Sequence, residues 1–249
     1  MLDLAAKLVL GPLLYAQARR LRATALDLPE PHGPRSGVEG SGAPLSVLVA
    51  GDSSAAGVGA RTQDEALALP MARQLAALAR RQVRWQLIAQ TGFTSEALLH
   101  ELMLGHARPA QIAVVIVGVN DITREVPLAY ALRKRAEIAG WLRAHVGARA
   151  LLYAGLPEME RFPAVRQPLA FYAGQAARRN NRAQARWARQ MQSIHPGLRH
   201  LPMDNLTRPE LMSEDGFHPA PALYARVAQR LAEAIATEVL PQWSAPAGS

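Results

Sequence analysis

Two segments at opposite ends of the chain carry residue types that could perform nucleophilic chemistry together. Ser53 ends a Gly-Asp-Ser sequence that directly follows the apolar run 45–50, so a turn after a buried strand presents its hydroxyl. A serine hydroxyl is a weak nucleophile and needs a base within hydrogen-bond reach. Asp215 and His218 lie three residues apart in a loop sequence, where both side chains can turn the same way. In that arrangement Asp215 orients the ring of His218, and His218 faces Ser53 as its base.

Two further residues could stabilise the negative charge that develops on a carbonyl oxygen under attack by a serine. Asn120 stands in a Gly-Val-Asn-Asp sequence at the end of the strand-like run 111–117, where its amide can point into the same cleft as a donor. Gly92 follows the strand-like run 83–89, and no side chain obstructs its backbone N–H. The chain therefore offers a nucleophile, a base, an orienting carboxylate and oxyanion donors.

Taken together, these motifs resemble those of the SGNH hydrolases, also called GDSL-type esterases and lipases. That family is marked by a Ser in Gly-Asp-Ser, a Gly after the second strand, an Asn in Gly-x-Asn-Asp and a His in Asp-x-x-His, which here are Ser53, Gly92, Asn120 and His218. The resemblance spans residues 45–238, and Ser54 stands where the family name has Leu.

The resemblance implies a serine hydrolase that needs no metal or organic cofactor. Its catalytic residues are expected to be Ser53, His218 and Asp215. Its oxyanion hole is expected to consist of the backbone N–H groups of Ser53 and Gly92 and the amide of Asn120.

Strand-like and helical patterns alternate from residue 45 onward. Strand-like runs cover residues 45–50, 83–89, 111–117, 150–155 and 198–202. Helical periodicity follows at 70–81, 95–104, 127–146, 168–194 and 219–239. The alternation predicts an α/β fold, a three-layer α/β/α sandwich around a five-stranded, mostly parallel sheet of the flavodoxin-like type. Ligands of such sheets bind beyond the carboxyl ends of the strands, so the residues after the strands are expected at one edge.

The substrate pocket is expected to use side chains beside these strand ends. Phe93 and Ile122 follow the second and third strands closely and are assigned to substrate binding. The loop 156–168 follows the fourth strand and should overhang the same edge, so its Phe162 is assigned to the pocket wall. Plain packing of this loop on the domain is the alternative interpretation.

The 249 residues contain no segment that would separate two cores, so one domain is expected. We place the hydrolase domain at 45–240, between an apolar and basic N-terminal helix at 1–27 with a linker at 28–44, and a tail at 241–249. The linker is assigned from its content of Pro, Gly and Ser. The absence of cysteine excludes disulfides, thiolate zinc sites and a thiol nucleophile.

The N-terminal stretch 2–22 is too short and too interrupted by charge to span a bilayer. Two interpretations are favoured equally, a helix packed on the domain and an amphipathic helix on a membrane surface. On a membrane, Arg19, Arg20 and Arg22 would meet anionic headgroups. A cleaved secretory signal is less favoured, because Asp3 precedes the apolar part. The expected compartment is the cytoplasm, with peripheral contact at the inner membrane or secretion as open alternatives.

The net charge of +8 raises nucleic acid as a partner, but the distribution of charge argues against it. The densest group of arginines, at 178–189, lies on a helical pattern with Trp187 as its only aromatic residue, which is typical of a solvated helix face. Glycine spacing after the first strand matches no nucleotide-binding loop. The expected partner is therefore a small-molecule or lipid ester, and the oligomeric state is left open.

These observations predict a serine esterase that hydrolyses short-acyl or lipid-like carboxylic esters through an acyl-enzyme. The basic N-terminal helix favours a lipid-like ester. A carbohydrate O-acetyl esterase or a thioesterase would use the same site residues. A non-catalytic module that binds at a membrane surface is the alternative from another class, although such a module has no need of Ser53, Asn120, Asp215 and His218 together.

Overall fold

A computed structural model of the chain describes residues 2–24, 26 and 28–244. The strands are β1 (Ser36–Glu39), β2 (Pro44–Gly51), β3 (Gln82–Ala89), β4 (Ile112–Ile116), β5 (Ala150–Ala154) and β6 (Leu198–Leu201). The α-helices are α1 (Leu2–Thr24), α2 (Ser53–Ala56), α3 (Ala68–Ala79), α4 (Ser95–Met103), α5 (Val119–Thr123), α6 (Leu128–Trp141), α7 (Leu169–Met191), α8 (Pro221–Ala234) and α9 (Leu240–Ser244). Wider π-type turns extend α6 through Leu142–Val146 and α8 through Ile235–Val239, and short 3-10 turns occupy Met159–Arg161 and Pro209–Leu211. The predicted tail overlaps α9, and its residues 245–249 lie outside the described part.

The strands form one sheet in the order β1-β3-β2-β4-β5-β6. Strands β2 to β6 pair in parallel, and β1 pairs antiparallel to β3 at the edge. The predicted α/β fold with a mostly parallel sheet is confirmed, but the sheet has six strands rather than five.

The strand that sequence reasoning missed is β1, which lies inside the predicted linker. The interpretation of residues 28–44 as a linker is therefore wrong for 36–39, which pair with β3 from Ser36↔Gln86 to Glu39↔Val83. Because β1 is short and lies at the edge, none of its residues is fully buried, and Val38 is 54% exposed. A strand without a buried face has no apolar alternation to reveal it, and the surrounding Pro and Gly are typical of loops.

The two faces of the sheet pack against different helices, as the two-residue period of a strand requires. In β2, Leu45, Val47 and Val49 face the cluster formed with α3 and α8. Leu48 faces the opposite cluster, formed with α4 and α6. All four side chains are fully buried, since helices cover both faces of a parallel sheet.

Helix α1 packs on the domain at the N-terminal end of α7. Gln17 donates from Nε2 to the carbonyl oxygen of Gln167 at 2.8 Å and accepts from the backbone N–H of Leu169 at 3.2 Å. Leu21 packs against the cluster formed by α7 and the loop after β5. Of the helices in the described residues, none is long and apolar enough to cross a membrane. Contact of α1 with a membrane surface stays a prediction.

A buried charged network ties α4, α5, α6 and α7 together behind the sheet edge. Arg135 of α6 donates from Nη2 to Asp121 at 3.0 Å, from Nε to Ser95 at 3.1 Å and from Nη1 to Asn180 and Gln184 at 2.6 and 2.8 Å. Asp121 also accepts from the backbone N–H of Ser95 at 2.9 Å and from its hydroxyl at 2.5 Å. Burial lowers the pKa of Arg135, and the charge of Asp121 opposes that effect. Arg135 and Asp121 thus compensate each other's charge, and hydrogen bonds to neutral groups stabilise both in the buried site.

Substitution of Arg135 tests how strongly this network holds the helices. In Arg135→Met the carboxylate of Asp121 would be buried without its counter-charge, so we expect the free energy of unfolding to fall by roughly 3–5 kcal/mol in urea denaturation. The matched control is Arg133→Met on the same helix, where the side chain is 63% exposed and a change within about 0.5 kcal/mol is expected. Equal stability of the two variants would contradict the prediction.

Candidate active site

The ends of three neighbouring strands define the site. The register pairs Gly51 of β2 with Ala89 of β3 and with Ile116 of β4, so the residues that follow these strands leave the sheet side by side. A Cβ atom at Gly51 would lie 2.0 Å from the carbonyl oxygen of Ile116, so only glycine permits this approach. The backbone N–H of Asp52 then donates to the same oxygen at 3.0 Å. The turn that carries the serine is thus fixed to the adjacent strand.

Ser53 is the first residue of the short helix α2. Asp52 caps this helix, since its side chain accepts the backbone N–H of Ser54 at 3.0 Å. Gly57 ends the helix in the left-handed region at φ 101°. At this position the backbone N–H of Ser53 has no intrahelical acceptor to bind, which leaves it suited to an oxyanion.

The loop before α8 brings Asp215 and His218 to Ser53. Nδ1 of His218 lies 2.6 Å from Oδ2 of Asp215, and Nε2 of His218 lies 2.9 Å from Oγ of Ser53. Because an ionised carboxylate only accepts, Nδ1 carries the proton and Nε2 is left to accept the serine hydroxyl. The structure therefore joins the three residues in the order and at the distances that a serine nucleophile and its base require.

The carboxylates of Asp215 and Asp52 differ in pKa, and hydrogen bonding explains the difference. Burial alone would raise the pKa of Asp215, but hydrogen bonds from the side chain and backbone of His218, the hydroxyl of Ser213 and the backbone of Phe217 outweigh it and hold that pKa well below its usual range. At Asp52 burial prevails and raises the pKa to about 7. Asp215 thus stays ionised through the neutral and weakly acidic range.

The serine turn and the histidine loop contact each other directly. Gly59 adopts φ 101°, and a Cβ atom there would lie 2.2 Å from the carbonyl oxygen of Pro219, the residue after His218. Tyr224 of α8 donates its buried hydroxyl to the carbonyl oxygen of Val58 at 2.7 Å. These two contacts hold the ends of the Ser53–His218 hydrogen bond in place.

Asn120 and the Gly92 segment meet on the other side of the serine turn. Nδ2 of Asn120 donates to the carbonyl oxygen of Phe93 at 3.0 Å. An amide nitrogen carries two N–H groups, so this bond orients the side chain and leaves the second N–H for a substrate oxygen. The next residue, Asp121, is held by its hydrogen bonds to Ser95 and Arg135 and so fixes the short helix that carries Asn120. All five residues expected at the site, Ser53, Gly92, Asn120, Asp215 and His218, thus lie in the segments that meet at this edge.

The three residues predicted to bind substrate occupy different positions in the structure. Ile122 lines an apolar groove beside the site. Phe162 is only 4% exposed and packs edge-on behind Phe217, with ring centroids 5.2 Å apart. The ring of Phe93 is half-buried against the α4 side of the core. Its backbone carbonyl oxygen accepts the hydrogen bond that orients Asn120. Phe162 and Phe93 are therefore supporting residues rather than groove-lining ones.

Sequence reasoning missed Phe217, which lines the groove and contacts the ring of His218 with centroids 5.4 Å apart. The available signal was its place directly before the histidine, which puts its backbone at the site but leaves the direction of the ring undetermined.

With this geometry in view, comparison with known proteins identifies the family. The model of the GDSL-like lipase/acylhydrolase family matches residues 49–226. The chain belongs to this family. The family is one of hydrolases, and the match begins within β2 and ends within α8, so it includes the segments of all five site residues.

The chain is also similar to several proteins of known sequence or structure. The GDSL-like esterase Rv1075c of Mycobacterium tuberculosis is 29% identical over 191 residues, which are 75% of this chain and 60% of that protein. The crystal structure of TesA superposes with a TM-score of 0.56 at 21% identity, over 77% of this chain and 98% of TesA. The crystal structure of the lipase/acylhydrolase from Enterococcus faecalis superposes with a TM-score of 0.52 at 16% identity, over 77% of this chain and 95% of that protein. At these identities the two structures show a shared fold.

The raised pKa of Asp52 predicts a pH-dependent contribution to stability. The unfolded carboxyl has a pKa of 3.8 and the folded one about 7, so the folded state keeps its proton where the unfolded state has lost it. Stability from this group is complete below about pH 4 and is lost as pH rises to 7. In urea denaturation between pH 4.5 and 7.5, we expect the parent to lose unfolding free energy relative to Asp52→Asn, by on the order of a few kcal/mol.

The control for this measurement is Asp64→Asn, because the side chain of Asp64 is 58% exposed and pairs only at the surface with Arg73. The difference between parent and Asp64→Asn should stay constant over the same range. A constant difference between parent and Asp52→Asn as well would show that the Asp52 carboxyl is ionised in the folded protein throughout.

Proposed function

We propose that this protein is a serine esterase that hydrolyses carboxylic esters through an acyl-enzyme. The observation that carries the proposal is the continuous hydrogen-bonded chain from Asp215 through His218 to Ser53, at 2.6 and 2.9 Å. Each member has the neighbours that its role needs. Asp215 is held ionised, His218 is oriented by it, and Ser53 lies at a turn fixed to the sheet.

In the first half of the reaction, Oγ of Ser53 attacks the ester carbonyl carbon while Nε2 of His218 takes the hydroxyl proton. Ionised Asp215 stabilises the imidazolium that forms. The carbonyl oxygen becomes an oxyanion that accepts from the backbone N–H groups of Ser53 and Gly92 and from the amide of Asn120. His218 then donates the proton to the alcohol oxygen as the carbon–oxygen bond breaks, which leaves an acyl-Ser53.

In the second half, a water molecule attacks the acyl carbonyl while His218 removes its proton. The tetrahedral intermediate collapses, the serine oxygen takes the proton back from His218, and the carboxylic acid leaves. The same oxyanion donors act in both halves, because the negative charge develops on the same carbonyl oxygen each time. No step requires a group beyond the chain, the ester and water.

The first experiment compares the purified protein with Ser53→Ala on p-nitrophenyl acetate, butyrate and octanoate. We expect the parent to hydrolyse at least one ester and Ser53→Ala to lose at least about 10³-fold in kcat, because the attacking oxygen is removed. Ser54→Ala is the matched control, since Ser54 is the adjacent hydroxyl and contributes only its backbone N–H to the turn.

Each outcome of this comparison distinguishes the proposal from its alternatives. Hydrolysis that survives in Ser53→Ala would refute the mechanism. Failure of the folded parent on all oxygen esters, with Ser53-dependent cleavage of an acetylated sugar or an acyl thioester, would replace the proposed substrate class by one of those. Failure on every acyl donor would favour the non-catalytic module.

Asn120→Ala tests the oxyanion hole separately. Loss of one donor should lower kcat by about 10²–10³-fold with KM changed far less, because the donor acts mainly on the charge that develops during attack. The urea midpoint of the variant serves as the control for folding, since Asp121 and its network are untouched. Unchanged kcat in a folded Asn120→Ala would remove Asn120 from the mechanism.

A further inference from the structure

An apolar groove of about 400 Å³ runs alongside the candidate site, between α1, α5, α7 and the histidine loop. Its size is within the range of about 300–1,000 Å³ that is typical of small-molecule sites. Its walls include Leu14, Leu21, Ile122, Val165, Ala176 and Phe217.

One end of the groove lies at the reacting groups. Phe217 is the residue before His218 and stacks edge-on against its ring at 5.4 Å. Ile122 stands two residues after Asn120 on the same short helix. A substituent of an ester whose carbonyl lay at Ser53 would therefore reach the groove between these two walls.

The outer wall is supplied by α1. Leu14 and Leu21 of α1 line the groove, and Gln17 lies between them on the same face of the helix. Gln17 fixes α1 by its two hydrogen bonds to the backbone before α7. Leu13, one residue away, is 47% exposed on the outward side. Helix α1 lies outside the segment 49–226 that matches the family model. The outer wall of the groove therefore comes from a part of the chain that the family model does not include.

We propose that this groove binds the hydrocarbon chain of the ester substrate and that α1 thereby determines chain-length specificity. This inference rests on the proposed esterase function and names its substrate class, a lipid-like ester with one long chain. Wall side chains from α1, α5, α7 and the loop after β5 are mostly apolar, so a hydrocarbon chain gains by leaving water there. A short acetyl group would leave the groove empty and gain nothing from it.

The test makes the α1 wall polar with the double variant Leu14→Gln/Leu21→Gln. The measured quantity is the ratio of kcat/KM for a long-chain ester to that for its short-chain counterpart. Two series of esters distinguish an acyl chain from an alcohol chain in the groove. For the acyl chain, p-nitrophenyl octanoate is compared with p-nitrophenyl acetate. For the alcohol chain, octyl acetate is compared with ethyl acetate. We expect the ratio to fall by about tenfold or more in one of them. The control Leu13→Gln should leave both ratios and both rates unchanged.

A second variant approaches the groove from another element. Ala176→Phe on α7 would fill the groove and should lower the same ratio without any change to α1. A purely structural role of α1 would lower long- and short-chain rates by the same factor. Unchanged ratios in both series for both variants would overturn the inference.

Binding of a hydrocarbon chain to the groove can be measured without any ester hydrolysis. Calorimetric titration of sodium octanoate into the Ser53→Ala protein should show binding that sodium acetate does not show, and the added Leu14→Gln/Leu21→Gln substitutions should abolish it. Equal octanoate binding with and without these substitutions, or none in either, would overturn the groove assignment alone. Ester hydrolysis that does not depend on Ser53 would overturn the proposed function alone.

Discussion

The site depends on one hydrogen bond, between Nε2 of His218 and Oγ of Ser53, which joins positions 165 residues apart. A bond of this kind is useful only if both partners are held before substrate arrives, since the free energy of ordering them would otherwise oppose the reaction. The fold provides this in two ways. The Ser53 turn is bonded to β4, and the loop of His218 is pressed against that turn at Gly59 and Pro219.

Burial and hydrogen bonding around this bond act differently on the two nearby carboxyl groups. Asp215 has four hydrogen-bond donors and remains ionised, which keeps the imidazole in the tautomer that can act as a base. Asp52, buried with fewer donors, has its pKa raised to about 7, so it adds less negative charge beneath the nucleophile. The buried Arg135 is paired with Asp121 and holds the helix of Asn120. In the proposed mechanism Asp215 serves catalysis, whereas Asp121 with Arg135 serves stability at the same sheet edge.

The segments before residue 45 add contacts to the family domain at the sheet edge and at α7. Strand β1 extends the sheet at one edge, and Glu30 beside it accepts the backbone N–H of Thr91 at 2.6 Å, next to Gly92. Helix α1 lies at the other side of the site, against α7. In the proposed groove this helix contributes side chains that a hydrolase domain of residues 49–226 would lack. Specificity can then differ among relatives without any change to the reacting residues.

The sequence alone determined the parts that depend on local pattern. Strand-like runs of residues indicated β2 to β6, and short motifs indicated Ser53, Asn120, Asp215 and His218. Only the tertiary structure showed β1, because an edge strand buries no face, and only it assigned Phe217 to the groove and Phe162 to its support. The same holds for α1, whose apolar face was compatible with a membrane or with the domain. Which surface a side chain contacts is set by residues distant in sequence, and no local pattern contains that information.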